Sequence, residues 1–126
     1  MKHFILSAVF FLALFSNANS ADYYVSESGS DSNNGTDQST PWQSISKVNS
    51  MMASINAGDQ ILFKKGDKFY GTVTVSKSGA AGNEIIIGSY GSGSLPVISG
   101  KKLITGWTLY SGNIYRAAMT DSVSHI

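Results

Sequence analysis

The feature that most constrains this chain is the run from Gly58 to Gly100, GDQILFKKGDKFYGTVTVSKSGAAGNEIIIGSYGSGSLPVISG, where short apolar stretches alternate with turn residues. Ile61–Phe63, Thr72–Val75, Ile85–Ile87 and Val97–Ser99 read as strands, and clusters of glycine, serine and asparagine punctuate them. The stretches recur in pairs: Ile61 to Ile85 is 24 positions, and Val73 to Val97 is again 24. A period in the twenties marks a solenoid, in which each turn of chain stacks on the one before. The unit is strand, turn, strand with no helix inside it. That favours a β-solenoid over a leucine-rich or ankyrin array.

Upstream of this run, Asp22–Ser26 reads as a strand with Tyr23 and Val25 on one face and Tyr24 on the other. Glu27–Thr40 is polar and loop-like. Its centre, Asp31-Ser32-Asn33-Asn34-Gly35-Thr36-Asp37, sets oxygen-bearing side chains at alternate positions, as the start of a calcium loop does. The glycine comes one residue early for an EF-hand, and no glutamate closes the loop. Asn and Asp also favour turns for local hydrogen-bonding reasons, so a plain turn and a cation loop are both open. Next, Thr40 reads as a helix N-cap, Pro41 as the first helical residue and Gln43 as the partner in a capping box. Trp42, Ile45, Val48, Met52 and Ile55 continue at helical spacing, and Gly58 is placed to stop the helix. A solenoid needs its first turn covered, so this amphipathic helix is expected to be the cap.

The N-terminus carries a separate signal. Lys2 and His3 precede the apolar run Phe4–Phe15, and small residues Ala18 and Ser20 fit a signal-peptidase site before Ala21. Twelve apolar residues fall short of the roughly 20 that span a bilayer, so a cleaved leader is expected, with a secreted or periplasmic bacterial protein as its product. Without Lys2 the rest of the chain balances eight basic against eight acidic side chains. No basic run exists to bind nucleic acid, and no membrane association is expected after cleavage. The absence of cysteine excludes disulfides, thiolate metal sites and a cysteine nucleophile.

Downstream, Lys101–Tyr110 and Asn113–Ala117 read as further strands, and Tyr90 and Tyr110, 20 apart, suggest that the winding continues with a shorter turn. No capping element follows, so the chain is expected to be the N-terminal part of a longer protein. Three segments result: residues 1–20 a leader, 21–57 the first strand, polar loop and capping helix, and 58–126 the first coils. The charged candidates for a site are Lys64, Lys65, Asp67, Lys68, Lys77, Lys101, Lys102 and Arg116. The Lys64–Lys68 turn could meet an acidic polysaccharide, but a solvated turn is the expected state. Trp107, Tyr110 and Tyr115 could stack on sugars, but as strand aromatics they are expected to be buried. Asp59 and Asp67 each follow a glycine and are expected to bond within their own turns. His125 receives no role. No residue is assigned a catalytic, cofactor-binding or metal-binding part.

The segments YYVSESGSDSNNGTDQSTPWQSISKVN, GDQILFKKGDKFYGTVTVS and SGAAGNEIIIGSYGSGSLPVISG resemble the opening of secreted right-handed parallel β-helix proteins of the pectate-lyase-like superfamily. Polysaccharide lyases of the chondroitinase B and alginate lyase type belong to it. The resemblance covers about residues 22–110 and implies an all-β fold, a right-handed parallel β-helix of which this chain holds the N-terminal capping helix and first coils. It also implies extracellular polysaccharide as the partner, an acidic one first, cleaved by a lyase or hydrolase. In such lyases a cation, often Ca²⁺, or basic side chains neutralise a uronate while Lys or Arg removes the adjacent proton. Those residues sit on later coils, so none maps here, and Ca²⁺ is a candidate for the full-length protein only. The contrasting reading is a non-catalytic, adhesin-type β-helix that binds glycan.

Overall fold

A computed structural model of the chain describes residues 19–101 and 104–118. The expected leader lies outside the described residues except for Asn19 and Ser20, and so do Lys102 and His125. Strand β1 (Asp22–Val25) leads to helix α1 (Ile45–Met51) and a 3-10 turn at Met52–Ser54. Strands β2 (Gln60–Lys64), β3 (Lys68–Tyr70), β4 (Ile86–Tyr90), β5 (Val97–Ser99), β6 (Thr108–Ser111) and β7 (Ile114–Arg116) follow. The expected all-β class holds: sheet dominates, and α1 is seven residues long. The sheets are small and none of them closes.

Two of the sheets are parallel. One has the order β1-β2-β4 and the other pairs β3 with β5. The ladders place Tyr23 beside Ile61 and Ile61 beside Ile87, and put Phe69 beside Ile98. Burial along β2 follows the two-residue period of a strand, with Ile61 and Phe63 buried, Gln60 and Leu62 half-buried and Lys64 exposed. In β3 only Phe69 is buried, and its ring meets Phe63 edge to face with centroids 4.9 Å apart. That contact joins the two parallel sheets across the core.

The regular period of 24 does not survive. Partners across β2 and β4 are 26 residues apart (Ile61 and Ile87), and partners across β3 and β5 are 29 apart (Phe69 and Ile98). The strand that pairs with Val97–Ser99 is Lys68–Tyr70, ahead of Gly71, and not Thr72–Val75. Thr72–Val75, expected as a strand, pairs with no strand; instead the Asn49 side chain donates to the Thr72 carbonyl (2.9 Å) and accepts from the Thr74 N–H (2.9 Å). A helix side chain stands where a neighbouring strand would be. The alternation at Val73 and Val75 reports extended backbone but cannot say what satisfies it.

The helix also starts later than expected. Trp42 takes the far side of β1: its N–H donates to the Tyr24 carbonyl (2.9 Å), and its carbonyl accepts from Ser26 (2.8 Å). A residue paired in a ladder cannot also be helical, so Thr40 is not the cap. Ser44 is, in extended conformation, with Oγ accepting from the Lys47 N–H at 3.0 Å. The apolar spacing nonetheless marks the right face. Trp42, Ile45, Val48, Met52 and Ile55 are all buried and pack with Val25, Ile61, Phe63 and Phe69 in one core.

The third sheet departs from expectation most. β6 and β7 form an antiparallel hairpin around Gly112, so the winding does not continue through Tyr110. The aromatics expected to be buried are exposed, Trp107 by 56%, Tyr110 by 64% and Tyr115 by 60%. A two-stranded hairpin has no second layer against which to bury them.

Candidate functional site

Two glycine–aspartate steps bracket β2, and both aspartates act at long range. The Asp59 carboxylate, 2% exposed, accepts from the Ala21 N–H just before β1 and from the Asn56 N–H, each at 2.8 Å. Asp67 Oδ2 accepts from Ser26 Oγ (2.9 Å) and from the Glu27 N–H (2.8 Å), just after β1. The expectation that both bond only within their own turns is therefore corrected. Each ties an end of β2 to an end of β1, and each carboxylate supplies acceptors to groups that the strand ladder leaves over.

Beside the Asp67 clamp lies a groove of about 350 Å³. Ser26 and Ser28 line it from the end of β1, Gln38 and Ser39 from the polar loop, and Lys64 and Tyr90 from the ends of β2 and β4. Lys64 and Tyr90 are register partners, so the ladder sets them side by side on the outer face. Tyr90 also meets the Tyr24 ring edge-on, with centroids 5.0 Å apart. Burial raises the Tyr90 pKa, and the nearby Asp67 carboxylate adds to this against a hydrogen bond with Ser26, so the phenol keeps its proton. Ser26 is buried, and its hydroxyl donates to Asp67. The groove is equipped to bind polar groups by hydrogen bonds.

The loop that could have held calcium is organised around its own chain. Asp31 Oδ1 accepts from the Gln43 and Ser44 N–H groups (2.9 Å each), and Oδ2 accepts from Ser44 Oγ (2.6 Å). Burial acts to raise the Asp31 pKa, but these bonds and the Lys47 charge outweigh it and hold it below the ordinary value of 3.8. Asn34 Oδ1 accepts from Thr36 and Thr40, and Asp37 Oδ1 accepts from the Ser39 N–H and hydroxyl. Among the described residues no group of three or more His, Asp or Glu gathers to hold a metal.

The other charged candidates do not converge. Lys64 and Lys68 are exposed on the turn, as a solvated turn requires, and Lys65 is half-buried. Lys64 faces the Tyr90 groove, while Lys68 lines a separate hollow with Glu27 and Tyr70. Lys77 and Lys101 are exposed elsewhere, and Arg116 lies over the Tyr110 ring at 5.0 Å. Sequence reading missed Ser26, Gln38, Ser39 and Tyr90. No spacing links them, because the parallel register and the loop bring them together.

No family model matches the chain. It is 38% identical over 72 residues to a lacto-N-biosidase of Bifidobacterium longum subsp. longum, a match covering 55% of this chain and 4% of that protein. The crystal structure of a GH136 lacto-N-biosidase from Eubacterium ramulus aligns with a TM-score of 0.55 at 33% identity, over 60% of this chain and 12% of that one. A complex of XylC with xylose aligns with a TM-score of 0.55 at 26% identity, over 75% of this chain and 14% of that one. The chain thus spans only a small part of the proteins it matches. These comparisons overturn the expected kinship with pectate-lyase-like enzymes of the chondroitinase B and alginate lyase type. Among the proteins that this chain is similar to are lacto-N-biosidases and XylC in complex with xylose.

Proposed function

We propose that this chain is the opening part of a secreted right-handed parallel β-helix protein that cleaves glycosidic bonds in extracellular glycans. Residues 1–20 are its leader, 21–57 its N-terminal cap, and 58–126 hold its first coils, interrupted by the β6–β7 hairpin. The observation that carries this reading is the parallel ladder β1-β2-β4 beside β3-β5, in a chain 33% identical to a lacto-N-biosidase over the aligned part. Right-handed winding is the expected hand, because parallel strands joined by a crossover adopt it in about 98% of cases.

The far end of the ladders favours continuation. Ile87 and Ile98 share ladder positions with buried Ile61 and Phe69, yet they are 41% and 43% exposed. Interior positions left open to water are a liability that another coil would remove. The test is to express the full-length protein and assay it on a panel of neutral and amino-sugar oligosaccharides. Release of a defined sugar supports the reading. Binding without cleavage would favour an adhesin-type β-helix, and neither binding nor cleavage would overturn the glycan assignment.

A further inference from the structure

We propose that the groove between Ser28, Gln38, Ser39, Lys64 and Tyr90 is a binding subsite for one neutral sugar ring of a glycan. The choice of ligand class rests on the function proposed above; the site itself rests on its geometry.

The chemistry fits a sugar ring first. Gln38 and the Tyr90 phenol combine donor and acceptor capacity, which is what a ring of vicinal hydroxyls requires; Ser26 donates to Asp67, so Ser28 Oγ donates to Ser26 and meets a ligand as an acceptor. Ser39 Oγ already donates to Asp37, so it meets a ligand as an acceptor. Tyr90 adds an aromatic ring able to cover C–H groups, with a hydroxyl shared between Ser26 and a ligand. The volume, about 350 Å³, lies at the lower end of the roughly 300–1,000 Å³ of small-molecule sites, enough for a single residue of a glycan.

The charge argues for a neutral ring. Among the described residues Lys64 is the one cationic side chain lining the groove, and the Asp67 carboxylate lies behind Ser26, close enough to influence Tyr90. A carboxylate-bearing sugar would gain from the first and lose to the second. The groove is also built in advance. Its floor, Ser26, is buried and fixed by Asp67, and Tyr90 is fixed by the ladder to β2 and by the Tyr24 ring. Ser39 is held by Asp37, so a ligand orders chiefly the exposed side chains Gln38 and Lys64, which keeps the entropic cost of binding low.

The experiment titrates the full-length protein with lacto-N-biose, xylotriose and glucuronic acid, using calorimetry, and repeats it with Tyr90→Ala and with Gln38→Ala/Ser39→Ala. The loop variant touches exposed residues only and so tests the site even where Tyr90→Ala impairs folding. One of the neutral sugars is expected to bind, and each variant to weaken it at least about fivefold, the usual scale for truncating a contact that matters. Tighter binding of glucuronic acid than of both neutral sugars would overturn the neutral-ring assignment. Glycan cleavage with a KM unchanged in both variants would remove the subsite and leave the proposed activity standing. Loss of all binding and cleavage in the parent protein would remove both.

Discussion

Replacing Asp59 tests whether carboxylates hold the first two parallel strands together. Its two oxygens each accept one backbone N–H at 2.8 Å, from Ala21 and Asn56, and the residue is 2% exposed. Hydrogen bonds to a charged group contribute about 1.5–3 kcal/mol each, and an unpaired buried partner costs the full desolvation of that group. Asp59→Ala strands the Asn56 N–H and the Ala21 nitrogen, the free α-ammonium once the proposed leader is removed, so a loss of about 3–5 kcal/mol is expected. Asp59→Asn keeps one acceptor oxygen and turns an amide N–H toward the other donor, so about half that loss is expected. Urea denaturation followed by circular dichroism reads both. With m near 2 kcal/mol/M, the alanine midpoint should fall by about 2 M and the asparagine midpoint by about 1 M, at unchanged m. If the alanine variant does not fold, the asparagine variant still gives the measurement. An alanine variant within about 0.5 kcal/mol of the parent would refute the reasoning, because it would mean that water replaces the carboxylate without penalty.

Three further outcomes are expected. A Cβ at Gly35 would stand 2.4 Å from the Trp42 ring at φ +76°, whereas one at Gly66 (φ +88°) meets nothing within 4 Å. Gly35→Ala should therefore cost more than the roughly 1–2 kcal/mol of left-handed strain expected at Gly66→Ala, as thermal unfolding of both would show. Asn49→Ala should remove about 1 kcal/mol and, more tellingly, abolish hydrogen-exchange protection of the Thr74 amide while leaving β2 protected. Asp31 has its pKa lowered in the folded chain, so its contribution is present above the unfolded value of 3.8 and is lost as pH falls through the folded value. The stability gap between parent and Asp31→Asn should thus be constant near neutrality and close on acidification below about pH 4, measured by urea midpoints at each pH.

What could be read in advance, and what could not, follows one physical line. Burial of the core face is written in the residues themselves, although Trp107, Tyr110 and Tyr115 show that an apolar strand residue is buried only where a second layer covers it. The spacing of Trp42, Ile45, Val48, Met52 and Ile55 located the face that packs on the core, and the alternation around Ile61 and Phe63 located β2. Partnership is not written there. Thr72–Val75 has the alternation of a strand but bonds to Asn49, and Trp42 has the neighbourhood of a helix start but bonds to β1. Asp67 looked like a turn residue because its nearest sequence neighbours are turn-formers, while its real partners lie 40 and 41 positions away. The groove was hidden for the same reason: Ser26, Lys64 and Tyr90 meet only through register.

The order β1-β2-β4 has a consequence for how the chain assembles during synthesis. β1 leaves the ribosome with no strand to pair with until β2 has emerged, since Asp22 and Gln60 are partners across 38 residues. Trp42 can dock on β1 in that interval, when their separation along the chain is still short. Once β2 and β3 are placed, β4 and β5 each have a template already waiting, β2 for β4 and β3 for β5. Folding can then advance strand by strand from the N-terminal end. The longest closure is the first, across the 38 residues from Asp22 to Gln60, and it is the one that Asp59 and Asp67 hold.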